Sequence, residues 1–238
     1  MSPLKYKAII FDVGDTLLEA HPGEAQIHAD RVRVLGFTVD EPTAAALARA
    51  LDDVANAQIA LEQDGAPRIS DEDFTAMLDL AALRLVAPSA DSAQYLEKLR
   101  ATPLPKTELR VIDGTLEVLQ QLKEYGYRLG IVSNHKAWLA EHLDKLGLAQ
   151  FFETIVVSDM VGVEKPDPRI MHIALENLAL DASDCLYVGD HPFDVLCARG
   201  AGLDCAWIAS EEAQLPRSVY FDENYRISRL RELLSILL

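Results

Sequence analysis

Two hydrophobic patterns divide the chain. From Ala8 to Phe11 four apolar residues run without interruption, which suits a strand buried on both faces of a parallel sheet, and the run ends in Asp12. From about Leu18 to about Ala101 the apolar positions recur at helical spacing instead. A first helix is expected over 24–35, stopped by Gly36. A second follows Asp40, with Pro42 in its first turn and Leu47, Leu51, Val54 and Leu61 along it. Gly65, Pro67 and Ser70 punctuate the chain before a third helix. Ser70 and Asp73 open it as a capping box, and Phe74, Met77, Leu78, Ala81 and Leu85 share one face. Pro88 closes it, and Asp91 begins a fourth helix with Tyr95, Leu96 and Leu99. Four amphipathic helices without a strand form a small bundle.

From Arg110 onward strands and helices alternate, as in a doubly wound α/β sheet. Strands are expected at 129–132, 154–157, 186–188 and near 206–208, with helices at 116–125, 138–146, 170–178 and 227–237. Trp138 and Trp207 read as core positions. The fold expected is a parallel, Rossmann-like α/β domain of residues 1–17 and 103–238, with a helical domain of residues 18–102 inserted after the first strand as a lid or cap over the strand ends. Hinges are expected near Leu18 and at 102–107, where Pro103 and Pro105 fall.

Half of the 238 residues are hydrophobic, enough for a substantial core and too many for a disordered chain. The formal charge of −16 argues against nucleic acid as a partner, because a phosphate backbone needs clustered Lys and Arg. A small phosphorylated molecule remains compatible if local cations or a metal offset the acidic field. The cysteines, Cys185, Cys197 and Cys205, show no zinc spacing and read as reduced, buried thiols of a cytoplasmic protein. No stretch approaches the roughly 18 apolar residues of a membrane span, and the N-terminus runs into the first strand without a signal-peptide pattern.

Chemistry collects at the expected strand ends, where open α/β sheets place their ligand crevice. Asp12 is a nucleophile, a metal ligand or a turn residue on its own evidence. Ser133 and Asn134 can donate to phosphoryl oxygens, or cap the next helix. Lys165, in a Lys-Pro-Asp-Pro run, is a cation that would keep Asp12 ionised, or a solvated turn residue. Asp190 and Asp194 could hold Mg²⁺, which is commonly bound by one or two carboxylates plus phosphate and water, or could be a cap and an exposed acid. The joint occurrence of these groups, each just beyond a strand, favours a phosphate site over a set of separate structural roles. His21, His28, Arg31 and Arg33 are candidate contacts for an anionic substrate, with surface positions as the plainer expectation. His135 and His191 flank the strand ends.

The stretches FDVGDTLL from Phe11, IVSN from Ile131, GVEKPDP from Gly162 and VGDHPFD from Val188 resemble the four motifs of the haloacid dehalogenase superfamily, in order and across the whole chain. The helical insertion lies where that family carries its first-type (C1) cap. The resemblance implies a Mg²⁺-dependent phosphatase acting on a small phosphorylated metabolite. Asp12 would be the nucleophile, Ser133, Asn134 and Lys165 would bind the phosphoryl group, and Asp190, Asp194, Asp12 and the backbone carbonyl of Gly14 would hold the metal.

One position departs from the family pattern. Most phosphatases of this family carry a second aspartate two residues after the nucleophile, as general acid, and here that position is Gly14. General acid catalysis usually contributes about 10²–10⁴-fold. Asp15 is adjacent, but on an extended segment its side chain points the other way, unless glycine's permissive backbone re-aims it. A phosphatase without this acid should be slow, or selective for acyl and aryl phosphates. The family's 2-haloacid dehalogenases also lack the second acid, but they work without Mg²⁺, so Asp190 and Asp194 favour phosphoryl transfer. A phosphonate hydrolase would need a cap lysine, for which the candidate is Lys98, late in the fourth helix. A catalytically weak phospho-ligand-binding or regulatory protein is the non-enzymatic alternative, favoured by Gly14 and opposed by Asp12 and Lys165.

Overall fold

The computed structural model of the protein describes residues 4–63, 66–67, 69–89, 91–209 and 224–238; Gly65, expected as punctuation between helices, lies outside them. In chain order the elements begin with β1 (Ala8–Phe11), β2 (Leu18–His21), α1 (Glu24–Val34), α2 (Glu41–Gln63), α3 (Asp71–Val86), α4 (Ser92–Arg100) and β3 (Glu108–Val111). They continue with α5 (Thr115–Glu124), β4 (Arg128–Ser133), α6 (Leu139–Lys145), β5 (Thr154–Val157), α7 (Ser158–Val161), α8 (Arg169–Leu178) and β6 (Cys185–Gly189). The last four are α9 (Pro192–Gly200), β7 (Asp204–Ile208), β8 (Tyr225–Ile227) and α10 (Glu232–Leu237). The described residues form two compact units, an α/β unit of those up to Glu19 and from Arg110 on, and a helical unit of those in Ala20–Leu109.

The α/β unit is built on a six-stranded sheet of order β5-β4-β1-β6-β7-β8. All its pairings are parallel. All four residues of β1 are buried, as a central strand of a parallel sheet requires. The chain runs outward from β1 through β4 to β5, then returns to its other side through β6, so the strand order reverses at β1. At such a reversal the loops after neighbouring strands diverge and leave a crevice beyond their carboxyl ends. Asp12 stands at that point, one residue past β1. Helices α5 and α8 pack on β4, and α9 packs on β6 and β7.

In the helical unit, α1 ends at Gly36, whose φ of +93° is a conformation that glycine adopts without a Cβ penalty. The Asp40 carboxylate accepts from Thr43 N–H at the start of α2, and Ser70 caps α3 by accepting from Asp73 N–H. The core is Ala29, Val32, Val39, Leu47, Leu51, Leu78, Ala82, Leu83 and Leu99.

Several elements differ from the sequence expectation. Leu18–His21 does not open the helical insertion but forms β2, which pairs with β3 in a two-stranded sheet. Its short buried–exposed alternation is a strand pattern that four residues are too few to announce. The C-terminal helix starts only at Glu232, because 225–227 form β8 on the edge of the main sheet, beside β7. The short helix α7 adds to the expected elements. Trp138 is not core: it is 50% exposed, and it meets the rings of His135 and His142 edge-on. Leu139 and Leu143 form the buried face of α6 instead.

His28 and Arg31, one turn apart on α1, are also not on the surface. Both are buried, with Asp79 of α3 between them. Arg31 donates to both carboxylate oxygens of Asp79, Nε at 2.8 Å and Nη2 at 2.7 Å, and His28 Nδ1 lies 2.8 Å from Oδ1. Arg31 also donates to the carbonyls of Leu99, in the last turn of α4, and of Thr102, just past it, so one guanidinium joins α1, α3 and the end of α4. His21 and Arg33 are exposed, and Arg33 pairs with Asp30. Lys98 is exposed with its ammonium over the Tyr95 ring.

Burial alone would raise the Asp79 carboxyl, but hydrogen bonds from His28 and Arg31 outweigh it and hold the group below the usual aspartate range. Removing one partner of a buried pair leaves the other charge unsolvated, so Asp79→Asn should destabilise the helical unit by about 3–5 kcal/mol at neutral pH, read from denaturant midpoints. Because the folded pKa is the lower one, the stabilisation is full above the unperturbed value of 3.8 and is lost as pH falls through the folded value. Variant and wild type should therefore converge in acid. Equal midpoints at neutral pH would show that the cluster adds nothing.

Candidate active site

The α/β unit assembles its polar groups around Lys165. The ammonium is 4% exposed and donates to Asp12 Oδ1 at 2.7 Å, to Asp194 Oδ1 at 2.6 Å and to the Tyr187 hydroxyl at 3.1 Å. Its three protons are thereby accounted for, and the solvated-turn reading of Lys165 is excluded. Burial opposes the charge, but the carboxylates of Asp12 and Asp194 outweigh that effect and raise the lysine pKa. Asp12, by contrast, is raised: its burial, joined by repulsion from Asp194, outweighs the pull of Lys165. Lys165 thus acts on Asp12 in the expected sense, lowering its pKa, without offsetting the whole of that rise.

The backbone places Lys165 through Asn134. That amide accepts from Lys165 N–H at 2.7 Å and donates to the Lys165 carbonyl at 2.9 Å, a two-point clamp that ties the Lys-Pro-Asp-Pro loop to the end of β4. Its side chain is thus turned to the loop and holds Lys165 at the strand end. Ser133 is buried at the last position of β4, and among the described residues its hydroxyl has no hydrogen-bond partner. Neither residue caps α6, which starts five residues beyond Asn134.

The loop after β6 carries the remaining carboxylates. Asp194 is fully buried: its Oδ2 accepts from His191 N–H at 2.9 Å, while Oδ1 takes Lys165 and lies 3.0 Å from the Tyr187 hydroxyl. His191 is the cap of α9, its Nδ1 accepting from Phe193 N–H. A Cβ at position 189 would collide with the Asp194 side chain, so Gly189 leaves the space that this carboxylate fills. Asp190 accepts from the Thr16 hydroxyl at 2.9 Å through Oδ1, and its carbonyl accepts from Trp207 Nε1 at 2.7 Å. Burial, with the charges of Asp194, Asp12 and Asp15, raises the Asp190 carboxyl well above its ordinary value.

The segment after Asp12 is a tight turn rather than an extended run. Leu17 and Leu18 both donate to the Val13 carbonyl, and Asp15 adopts a left-handed conformation with φ of +48°. Partial burial, with the charges of Asp12 and Glu19, raises the Asp15 carboxyl. Asp15 and Thr16 line one wall of a cleft of about 250 Å³ whose other wall includes Ser228 and Arg231. Sequence reasoning missed Thr16 and Tyr187, and it read Trp207 rightly as core without its bond to Asp190, because a hydroxyl and two aromatics in apolar runs carry no periodic signal of their own.

Asp12, Asp190 and Asp194 each offer an oxygen within 4.8 Å of the others. Lys165 pairs with two of these three carboxylates, Asp12 and Asp194, and all the donors are hard oxygens, a set that suits Mg²⁺. Both oxygens of Asp194 are already engaged, so Asp12 and Asp190 present the carboxylates freest to meet a cation.

The family model for haloacid dehalogenase-like hydrolases matches residues 6–202. A glyceraldehyde 3-phosphate phosphatase of Pyrococcus abyssi is 39% identical over 103 residues, a match spanning 42% of this chain and 42% of that protein. A phosphoglycolate phosphatase of Xanthomonas campestris pv. campestris is 29% identical over 198 residues, 83% of this chain and 80% of that one. Among solved structures, a dehalogenase with an intermediate complex matches at a TM-score of 0.61 and 20% identity, over 99% of this chain and 98% of that one, a likeness of fold alone.

Tyr187 is the neutral member of the cluster: burial, with Asp194 and Asp12 beside it, raises its pKa well above the ordinary value. It accepts from Lys165 and lies 2.9 Å from the Val132 carbonyl. Tyr187→Phe should therefore destabilise the α/β unit by about 1–3 kcal/mol in chemical denaturation, the cost of stranding buried polar partners. No change in midpoint would mean that these groups find other partners.

Proposed function

The chain belongs to the haloacid dehalogenase-like hydrolase family, and on that premise we propose that it is a Mg²⁺-dependent phosphohydrolase acting on a small phosphorylated metabolite through a phosphoaspartate at Asp12. The observation that carries this reading is Lys165, buried between Asp12 and Asp194 at the carboxyl end of a parallel sheet, with Asp190 alongside. The names of the relatives, phosphatases of small phosphorylated molecules, support the substrate class. The free, buried cysteines are in keeping with a cytoplasmic location.

In the proposed reaction a carboxylate oxygen of Asp12 attacks phosphorus, and the bond from phosphorus to the leaving oxygen breaks. Water then attacks the phosphoaspartate, returning the carboxylate and releasing phosphate. Lys165 offsets charge on the phosphoryl oxygens, the Ser133 hydroxyl donates to one of them, and Asn134 keeps Lys165 in place. Asp12, Asp190 and the Gly14 carbonyl would hold Mg²⁺, with Asp194 acting through its hold on Lys165 and His191. When bound, the ion would supply Lewis-acid stabilisation of the phosphoryl charge.

Gly14 leaves the leaving group without the family's usual proton donor. A Cβ at this position would meet nothing within 4 Å, so a side chain can begin there without displacing a neighbouring atom. The enzyme should therefore favour acyl and aryl phosphates, whose leaving groups need little protonation.

Phosphate release from p-nitrophenyl phosphate and acetyl phosphate should require Mg²⁺ and be abolished by Asp12→Asn. Turnover surviving in Asp12→Asn would rule out the phosphoaspartate, and metal-free halide release from 2-haloacids with no phosphatase activity would move the assignment to a dehalogenase. Gly14→Asp should accelerate alkyl phosphates by up to about 10²-fold and aryl phosphates less. A uniform loss with both substrate types would remove the missing-acid argument.

A further inference from the structure

Trp207 has no part in the chemistry above, yet its indole is bonded directly to the loop that carries Asp190. The residue is 3% exposed and pairs with Gly189 in the parallel register of β6 and β7, immediately before that loop. Its Nε1–H donates to the Asp190 carbonyl at 2.7 Å, and an indole N–H can only donate, so the sense of the bond is fixed. On the other side of β7, Arg226 of β8 pairs with Trp207 in register and sets its guanidinium 4.9 Å from the ring centroid. Asp190 is thus held twice, through a carboxylate oxygen by Thr16 and through its main chain by Trp207.

We propose that Trp207 is a positioning residue for Asp190, its indole N–H fixing the loop backbone so that the Asp190 carboxylate stays beside that of Asp12. The inference rests on the Mg²⁺-dependent reading above and deepens it. A ring needed only for packing would work equally well without its nitrogen, whereas a positioning bond would not. It also gives the edge strand β8 a task, since Arg226 covers the outer side of the indole. Groups that orient metal-binding side chains in this way typically contribute about 10–100-fold in metal affinity or activity.

The test is Mg²⁺ binding by calorimetry to the wild type and to Trp207→Phe, which keeps an aromatic ring and loses the donor. The expected result is Mg²⁺ affinity about 10-fold weaker, with KM for p-nitrophenyl phosphate at saturating Mg²⁺ within about twofold of wild type. Equal Mg²⁺ affinity in the two proteins overturns the inference and leaves the proposed function standing. Absence of Mg²⁺ binding in the wild type removes both. If Trp207→Phe does not fold, Trp138→Phe, altered at a half-exposed position, leaves Trp207 as the only tryptophan of the chain. Its emission should then change saturably with Mg²⁺ at the calorimetric midpoint, and emission indifferent to bound Mg²⁺ overturns the inference.

Discussion

The Lys165 ammonium, shared between Asp12 and Asp194 inside the sheet's crevice, is the interaction on which the rest of the α/β unit depends. None of the three could be buried alone, because an unpaired ion in a low-dielectric interior loses far more hydration than packing returns. Asp12 and Lys165 lie 153 positions apart, so the pair forms only when the whole sheet is in place. Much of the neighbouring detail serves that pairing. The Asn134 amide grips the Lys165 backbone, Gly189 vacates the space that Asp194 fills, and the cap of α9 turns Asp194 inward. A glycine, an amide and a helix cap thereby act as parts of one electrostatic arrangement.

The two units each contain a buried cluster of charges, and the contrast between them separates a structural cluster from a functional one. In the helical unit, Asp79 meets Arg31 and His28, its carboxyl is held below its ordinary value, and the carbonyls of Leu99 and Thr102 take further guanidinium protons. That cluster is satisfied as it stands. In the α/β unit, carboxylates outnumber the cation, and Asp12 and Asp190 are both raised. Raised carboxylates around one lysine are the kind of perturbed titration that accompanies functional sites, and a bound cation would complete the charge of such a site. The proposed Mg²⁺ would supply that completion.

How Asp190 is held follows from the same excess. Three carboxylates gathered within 4.8 Å repel one another, so their geometry needs restraints that do not depend on charge. The Thr16 hydroxyl and the Trp207 indole are neutral donors on rigid neighbours, one at the turn after β1 and one within β7. Tyr187, also neutral, accepts from Lys165 and donates to Asp194 Oδ1 at 3.0 Å. Neutral groups can be buried there at the cost of finding a partner only, whereas additional charges would alter the balance that the site requires.

What the sequence determined by itself was the kind and order of the elements wherever a pattern ran long enough. The apolar run before Asp12, the periodic helices between Glu24 and Arg100, the Ser70 cap and the alternation beyond Arg110 were legible because burial on one or both faces writes a period into the chain. The residue types at the strand ends were legible for a similar reason, since a polar group directly after a buried strand interrupts the pattern. Tertiary structure alone decided what those groups touch. Three- and four-residue strands such as β2 and β8 are too short to show a period, and their pairing comes from neighbours distant in sequence. His28 and Arg31 read as surface residues because their partner, Asp79, lies 48 or more positions away. Asn134, Thr16, Tyr187 and Trp207 acquired their tasks only when the sheet brought β1, β4, β6 and β7 side by side, because a hydrogen bond is fixed by distance and direction in space and leaves no period along the chain.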